Sequence, residues 1–162
     1  MPVRKSLSDL NCSLAKALDI MGDGWSMLVL RDLFIGARRF QDIVESTGVA
    51  RNTLTERLNR LVENGLVDKS GSDHRPFYAL SDKGYDLVPA LIALMQWGDR
   101  WLVDGKPPMV IEDHKGREIP AITLTTAKGK AVDLRKLQVK AGPGAAPQTK
   151  AWLEGLGSIP SR

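Results

Sequence analysis

The sequence predicts a mainly α-helical fold with a small β component, and three observations lead to this expectation. Apolar residues recur at helical spacing in four segments between residues 12 and 63. Two of these segments are separated only by a short turn that contains a glycine. Two segments of β character and a long helical segment come next. The chain has 162 residues, of which 43% are hydrophobic and 26% charged, so it is long enough for one compact core.

The first two helices are predicted from their apolar patterns and from the glycines that follow them. Leu14 and Leu18 share a face of the segment 12–21, and "GDG" at 22–24 ends the pattern. The next segment, "WSMLVLRDLF" at 25–34, is apolar on nearly every side, which is typical of a helix packed among others. We therefore expect the second helix at the centre of the core.

The third and fourth helices are predicted to form a helix-turn-helix. Their apolar faces consist of Phe40, Ile43 and Val44 in the third helix, and of Leu54, Leu58, Leu61 and Val62 in the fourth. Only "STGV" separates the two segments. Two short helices joined by such a turn are the arrangement that holds the second helix out for insertion into a DNA major groove.

A β-hairpin is predicted directly after the fourth helix. The segments "LVDKS" at 66–70 and "FYALS" at 77–81 have strand character, and "GSDHRP" at 71–76 is predicted to be the loop between them. A hairpin in this position is a wing. The predicted fold class is therefore a winged helix-turn-helix, followed by a small β-rich C-terminal appendage.

The remaining chain is predicted to hold one more helix and then the appendage. Ser81 is a natural N-cap for a long helix over residues 82–102, and Pro89 should kink this helix because proline removes a backbone hydrogen bond. Beyond it, the segments "MVIED", "AITLTT" and "KAVDLRKLQV" are β-rich and are separated by turn formers.

These patterns divide the chain into three parts. Residues 1–104 are predicted to form a domain for DNA binding and dimerisation, and residues 105–140 a small β-hairpin appendage. Residues 141–162 are rich in Gly, Ala and Pro, so we expect a flexible tail with at most a short turn of helix near Trp152.

Composition and motifs exclude several classes of protein. The formal net charge is +4, but residues 1–102 hold 13 Lys/Arg and 13 Asp/Glu, so DNA binding must depend on where the charges lie. The sequence contains no P-loop, nucleophile elbow or zinc-protease motif, and we expect neither enzymatic activity nor a cofactor. It contains no signal-peptide pattern and no apolar segment that could span a membrane, so we expect a cytoplasmic protein without a membrane partner.

Five dispersed motifs occur in order along residues 12–102. They are Cys12 at the start of the first helix, Gly-Asp-Gly before Trp25, "RRF" at 38–40, "LTERL" at 54–58 and "YALSDKG" at 78–84. In this order they resemble the HxlR-type subgroup of winged helix-turn-helix transcription regulators, which is MarR-like. The resemblance implies a homodimeric regulator that binds double-stranded DNA, and we expect a repressor that binds an inverted repeat.

The sequence departs from the pattern of this family in two places. Ala50 stands where relatives usually carry a serine at the start of the recognition helix, so a helix cap and a hydroxyl for a phosphate are missing, unless Asn52 replaces them. In the appendage, many relatives carry zinc-binding cysteines before "GPGA", whereas this chain keeps "GPGA" at 142–145 and has no cysteine there. We expect the appendage to fold without a metal.

The DNA-contact candidates are polar residues on the exposed face of the fourth helix, arginines before the third helix and cations of the wing. They are Arg38, Arg39, Arg51, Asn52, Thr53, Thr55, Glu56, Arg57, Asn59, Arg60, Lys69, His74 and Arg75. We expect Arg57 to point off the apolar face and into the groove, where arginine pairs with guanine. The alternative for Arg38 and Arg39 is a pair with Asp42 or Asp32. The alternative for the whole domain is a winged helix that binds a protein instead of DNA.

A dimer seam is predicted from apolar residues of the first and last helices. The candidates are Leu14, Leu18, Leu91, Leu94, Trp97, Trp101 and Leu102. The resemblance also suggests a small-molecule or electrophile inducer, because relatives that sense such compounds carry a reactive thiol where this chain has Cys12. A helix N-terminus and Lys16 would stabilise a thiolate there. The alternative is that Cys12 is a packing residue of the seam.

Overall fold

Seven α-helices and two β-strands form the main elements of residues 6–156, the part of the chain that the computed structural model describes. The helices are α1 (Ser13–Met21), α2 (Gly24–Phe34), α3 (Phe40–Thr47), α4 (Arg51–Glu63), α5 (Asp82–Tyr85), α6 (Val88–Leu102) and α7 (Pro147–Leu156). The strands are β1 (Val67–Ser72) and β2 (Arg75–Leu80), and single turns of 3₁₀ helix span Leu7–Asp9 and Leu134–Lys136. The predicted fold class, a mainly α winged helix-turn-helix with a small β component, is confirmed.

Helix α2 lies at the centre of the core, as its all-round apolar sequence predicted. Leu30 and Leu33 are completely buried, and α1, α3, α4, α6 and β2 pack against α2. The other elements contribute the core residues Ile43, Leu54, Leu58, Leu61, Leu66, Val67, Tyr78, Leu80 and Leu91. Asp32 of α2 is also completely buried, and its Oδ1 lies 2.6 Å from Nη2 of Arg31. Helices α1, α3, α4 and α6 are therefore arranged around α2.

The wing is a tighter hairpin than the sequence predicted. Strands β1 and β2 pair antiparallel from Val67 opposite Leu80 to Ser72 opposite Arg75, so only Asp73 and His74 remain in the turn. The predicted loop over 71–76 was therefore wrong, because most of it belongs to the strands. The strand pattern was hidden there because these residues are exposed on both faces and show no apolar alternation.

The long helix predicted after the wing is two helices, and the kink expected at Pro89 is wrong. Ser81 caps α5, with its Oγ accepting the N–H of Gly84. The chain then turns, and α6 begins with Leu87 as its N-cap. Pro89 lies in the first turn of α6, where a backbone N–H has no partner within the helix, so the proline removes no helical hydrogen bond.

The appendage contains less regular β structure than the sequence predicted. Among the described residues, its β pairing consists of two isolated antiparallel bridges, between Glu112 and Glu118 and between Thr125 and Ala131. The segment 130–139, predicted to be β-rich, contains the 3₁₀ turn. Gln96 of α6 holds the appendage, donating from Nε2 to the carbonyl of Pro120 and accepting at Oε1 from the N–H of Ile122.

The C-terminal tail contains helix α7, which is longer than the single turn expected near Trp152. Asn11 holds the start of this helix. Its Oδ1 accepts from the N–H of Ala146 and from Oγ1 of Thr149, and its Nδ2 donates to the carbonyl of Gly144. This side chain thus attaches the start of α7 to a residue near the other end of the sequence, which no local pattern reveals. Residues 157–162 lie outside the described residues.

Candidate nucleic-acid interface

The turn between α3 and α4 is built as a helix-turn-helix. Gly48 has φ of 66°, a left-handed conformation that favours glycine, and it ends α3. Thr47 Oγ1 donates to the carbonyl of Ile43 and accepts the N–H of Val49, which is buried. The turn is therefore fixed by its own hydrogen bonds and by one apolar anchor, and α4 leaves it in a defined direction.

Helix α4 begins without a side-chain cap, as the alanine at position 50 predicted. Ala50 is the N-cap residue and makes no side-chain hydrogen bond. Asn52 does not replace the cap, since no described group is hydrogen-bonded to its side chain. The N–H groups of the first turn of α4 consequently lack a protein side-chain acceptor among the described residues, and such groups are good ligands for a phosphate.

One face of α4 is exposed to solvent. It presents five of the predicted DNA-contact residues, Arg51, Asn52, Thr55, Glu56 and Asn59. The opposite face buries Leu54, Leu58 and Leu61 in the core. Arg51 is held in place by the Oε1 atom of Gln41 and by the ring of Phe40, which lies 5.6 Å from its guanidinium carbon.

Arg57 was expected to point off the apolar face and into the groove, but it is half-buried and contacts two acidic side chains. Its Nε lies 3.0 Å from Oδ2 of Asp23, and its Nη1 lies 3.0 Å from Oε1 of Glu56. The Nε–H does not meet hydrogen-bond geometry with Asp23, so this contact is an ion pair. Arg57 is on the flank of α4 that faces α2, and helical spacing alone does not distinguish a flank from the exposed face.

Two more predicted contact residues lie on the same flank of α4. Arg60 donates from Nη2 to the backbone carbonyl of Asp19 in α1, and its side chain is partly exposed. Thr53 is half-buried. Neither residue belongs to the exposed face that Asn52 and Asn59 share.

The two arginines before α3 have different environments, and neither makes the acidic pair considered as the alternative. Arg38 Nη1 donates to the carbonyls of Leu33 and Ala37 at 2.7 and 2.8 Å, so it caps the C-terminal end of α2. Arg39 is exposed, and its guanidinium carbon lies 4.3 Å from the centroid of the Phe77 ring in β2. A cation stacked in this way is pre-oriented at the base of the wing.

Asp42 organises the turn that carries both arginines. Its Oδ2 accepts the backbone N–H groups of Arg39 and Arg38 at 2.9 and 3.1 Å. These hydrogen bonds, with that of Arg39 the stronger influence, lower the pKa of the Asp42 carboxyl below its ordinary value of 3.8. The carboxylate form therefore supports the start of α3.

The predicted cations of the wing are all exposed. Lys69 lies in β1, His74 in the turn and Arg75 in β2. The Nζ of Lys69 is 3.8 Å from Oδ1 of Asp73, an exposed contact that holds it only weakly. His74 and Arg75 lie at the end of the hairpin, whereas Lys69 lies opposite Tyr78, nearer the core.

The predicted seam residues are exposed, with one exception. Leu14 and Leu18 of α1 and Leu94, Trp97, Trp101 and Leu102 of α6 are all exposed apolar side chains. Leu91 is only 4% exposed and belongs to the core, so its assignment to the seam is corrected. Leu91 is in the first part of α6, where that helix packs against the domain.

Cys12 is exposed and is the N-cap residue of α1. Its backbone carbonyl accepts the N–H of Lys16, the first hydrogen bond of that helix. Residues 6–156 contain no group of three or more His, Cys, Asp or Glu side chains that could hold a metal ion. No helix in this part of the chain is long and apolar enough to cross a membrane.

The sequence patterns did not identify the residues that support the contact candidates. Gln41 and Phe77 hold Arg51 and Arg39, and Asp19 and Asp23 hold two arginines of α4. These pairs connect different elements, so no spacing within one helix or strand indicates them. The one signal in the sequence was that Asp19 and Asp23 lie on either side of a predicted turn and could attract the arginines of α4.

Comparisons with known proteins agree with this geometry. A family model described as HxlR-like helix-turn-helix matches residues 20–106. An uncharacterised HTH-type transcriptional regulator of Mycobacterium tuberculosis, Rv3095, is 36% identical over 137 residues, which is 82% of this chain and 87% of the relative. The matched region includes the elements that form the exposed face and the wing.

Two solved structures of candidate transcription factors have a similar fold. PA1607 is 35% identical, with a TM-score of 0.76 over 85% of this chain and 100% of that one. PA1374 from Pseudomonas aeruginosa is 33% identical, with a TM-score of 0.60 over 87% of this chain and 99% of that one. In both cases the similarity extends beyond α6 into the appendage, because the winged helix alone is a smaller share of the chain.

The hydrogen bonds of Asp42 generate a prediction about pH. Asp42→Asn should lower the melting temperature at neutral pH, because the native carboxylate binds two backbone N–H groups more strongly than an amide does. A group with a lowered native pKa stabilises the fold above its ordinary value of 3.8, and this stabilisation is lost as the pH falls further through the native pKa. Thermal unfolding of both proteins from neutral to strongly acidic pH should show the difference shrinking below this value.

The matched control for this prediction is Glu63→Gln, an exposed acid of α4 for which the described residues provide no partner. Its effect should be small throughout the same pH range. An equal, pH-independent loss of stability in the two variants would contradict the role given to the Asp42 carboxylate.

Proposed function

Since this chain belongs to the HxlR-like helix-turn-helix family of transcriptional regulators, we propose that it is a homodimeric, sequence-specific repressor that binds an inverted repeat. That it binds DNA as a transcription regulator follows from the family, which consists of regulators and not of enzymes. We also propose that the protein has no catalytic activity and acts in the cytoplasm. It gives residues 1–104 the roles of DNA binding and dimerisation.

The exposed face of α4 beside the wing is the observation that carries the proposal. Asn52 and Asn59 offer amides that can pair with adenine, and Glu56 offers an acceptor for the amino group of cytosine. Thr55 lies between them, although its hydroxyl also donates to the carbonyl of Arg51. We assign base contacts to this face, with α4 as the recognition helix in the major groove.

Phosphate contacts are assigned to cations around this face. Arg51 and Arg39 are exposed and are both held by neighbouring side chains, which reduces the conformational entropy lost on binding. The uncapped first turn of α4 offers backbone N–H groups to a phosphate of the DNA backbone. Lys69, His74 and Arg75 of the wing extend the contacts along the DNA backbone or into the minor groove.

One side of α6 is not covered by the rest of the described chain, and this supports dimerisation through that side. Leu91 faces the core, and Gln96 faces the appendage, to which it is hydrogen-bonded. Leu94, Trp97 and Trp101 line the side that neither covers, and α1 adds Leu14 and Leu18. An apolar surface of this extent is typical of an interface, and a two-fold dimer would present two recognition helices to two half-sites.

We propose that Cys12 senses an oxidant or an electrophile and that its reaction releases the DNA. The thiol is exposed at the start of α1, the helix that carries Leu14 and Leu18 of the proposed seam. An oxidant that takes two electrons and two protons from two Cys12 thiols would join the subunits by a disulfide. Such a bond would change the separation of the recognition helices. A non-covalent small-molecule inducer is the other form of this proposal.

The first prediction concerns DNA binding and its dependence on salt. The logarithm of the affinity should fall linearly with the logarithm of the salt concentration, with a slope of about −0.9 per phosphate contact. Arg51→Ala should reduce the steepness of this slope by about one contact and weaken all sequences alike, whereas Asn59→Ala should leave the slope unchanged and relax the preference at one base pair by about 1–3 kcal/mol. Fluorescence anisotropy with a duplex selected from a random library by the wild type measures both.

A wild type that shows no salt-dependent affinity for any duplex would contradict the proposed function and favour a winged helix that binds protein. If Asn59→Ala reduced the salt slope and Arg51→Ala relaxed the base preference, the division between base and phosphate contacts would be contradicted. Trp152→Ala, far along the chain in α7, is a suitable control for general effects of substitution.

The second prediction concerns the seam. Trp101→Glu should give monomers that bind DNA much more weakly, because a carboxylate would have to be desolvated in the interface. Trp152→Glu is the matched control, since Trp152 and Trp101 are similarly exposed, at 63% and 67%, and only Trp101 lies in α6. Sedimentation velocity at micromolar concentration should show a dimer for the wild type and the control. A monomeric wild type would exclude the proposed dimer.

The third prediction concerns Cys12. Diamide should produce a covalent dimer on non-reducing electrophoresis and should release the wild type from its selected duplex, whereas Cys12→Ser should show neither effect. If both proteins remain on the DNA equally well after treatment, Cys12 is a packing residue and the signal enters elsewhere.

A further inference from the structure

We propose that Arg57 and Arg60 are positioning residues that fix the recognition helix α4 to the junction between α1 and α2, and that they do not contact DNA. Both arginines belong to α4 and both were candidates for DNA contact from the sequence. Their guanidinium groups instead meet Asp23 and Asp19, which flank the turn between α1 and α2. Only the consequence for DNA recognition rests on the proposed function.

The Arg57 contact is made to a carboxylate that is itself immobilised. Asp23 is the N-cap of α2, where its Oδ1 accepts the N–H of Ser26 at 3.0 Å and its Oδ2 accepts the hydroxyl of Ser26 at 2.9 Å. Ser26 is completely buried. The Arg57 side chain is only 20% exposed and that of Asp23 27%, so the pair is partly shielded from solvent. Reaching a phosphate would require Arg57 to leave this carboxylate.

The Arg60 contact is made to the end of a helix. Asp19 lies in the last turn of α1, where backbone carbonyls lack a partner within the helix, and its carbonyl accepts from Nη2 of Arg60. Its carboxylate Oδ2 is 3.8 Å from the same nitrogen. A cation at a helix C-terminus is also favoured by the helix dipole. The contact therefore ties α4 to the backbone of α1 and not merely to a mobile side chain.

The two contacts together restrict α4 more than either does alone. Residues three apart lie on one side of a helix, so Arg57 and Arg60 hold the same flank at two points. Two points on one flank oppose both rotation of α4 about its axis and sliding along it. The neighbouring residues Glu56 and Asn59 are on the exposed face, and Glu56 Oε1 also accepts from Nη1 of Arg57. Any rotation of α4 would displace these side chains from the bases.

The position of the junction gives these contacts a role in recognition. Helix α1 carries Leu14 and Leu18 of the proposed seam and ends at the junction that holds α4. The separation of two recognition helices in the proposed dimer is then set through Asp19 and Asp23. Loss of either contact should make the approach of α4 to its half-site less well defined.

A distance measurement tests the positioning without DNA and without assuming a dimer. Spin labels are attached to Lys16→Cys in α1 and Asn59→Cys in α4, both exposed, in a Cys12→Ser background. Labelled protein is diluted with an excess of unlabelled Cys12→Ser protein, so that distances within one chain dominate. Arg57→Gln and Arg60→Gln should each broaden or shift the distance distribution measured by pulsed electron resonance. Arg51→Gln, an arginine on the exposed face of the same helix, should leave it unchanged.

An unchanged distribution in folded Arg57→Gln and Arg60→Gln proteins would overturn the proposal. If either variant does not fold, Asp23→Asn takes its place, because asparagine retains an oxygen for the N–H of Ser26 and removes the charge that holds Arg57. The same outcomes then decide the question.

A double-mutant cycle on DNA affinity separates positioning from contact. Asp23→Asn and Arg57→Gln should each weaken binding to the selected duplex by about tenfold, and the double variant should be no weaker than either, because both remove one interaction. Arg51→Gln combined with Asp23→Asn should be additive. Additivity for Arg57→Gln, about a hundredfold in total, would mean that Arg57 contacts DNA itself and would overturn the proposal. If the wild type selects no duplex, the proposed function fails, while the distance measurement still decides the positioning.

Discussion

The central position of α2, against which α1, α3, α4, α6 and β2 pack, is the constraint on which the rest of the structure depends. The ends of a helix in this position leave backbone groups that need partners within the protein, and side chains supply some of them. Asp23 accepts at its N-terminal end, and Arg38 donates to the carbonyls of Leu33 and Ala37 at its C-terminal end. Those same residues connect α2 to α4 and to the start of α3. The central helix and the helix-turn-helix are therefore positioned by one set of contacts.

The sequence allowed the prediction of elements whose causes are local. Helices α1 to α4 and the glycine turn follow from apolar spacing and from the left-handed conformation of Gly48. The sequence pattern also predicted the exposed face of α4, including Asn52 and Asn59. Residues at the edge of that face were misplaced, because spacing shows which side of a helix is apolar but not which neighbour meets its flank. The partner of Arg57, for instance, is in another helix.

The remaining differences between expectation and structure have a similar origin. Leu91 was assigned to a seam because it continues an apolar stripe, yet only the later part of α6 extends beyond the core. Helix α7 is longer than the short turn expected near Trp152, and its start is held by Asn11. In each case the deciding interaction joins residues distant in sequence. The DNA-contact assignments themselves depend on charges placed by such interactions, since residues 1–102 contain equal numbers of basic and acidic side chains.

The attachment of α7 by Asn11 has a consequence for the order in which the chain folds. The hydrogen bonds of Asn11 join residues separated by 133 to 138 positions, so forming them closes a loop that includes the whole winged helix. Closing such a loop early would cost more chain entropy than closing the hairpin or the α3–α4 turn, by about 0.6 kcal/mol for each doubling of loop length. One side-chain amide cannot offset that cost in an unfolded chain. We therefore expect the attachment to form late in folding, when the formed core has already brought Asn11 and the start of α7 together.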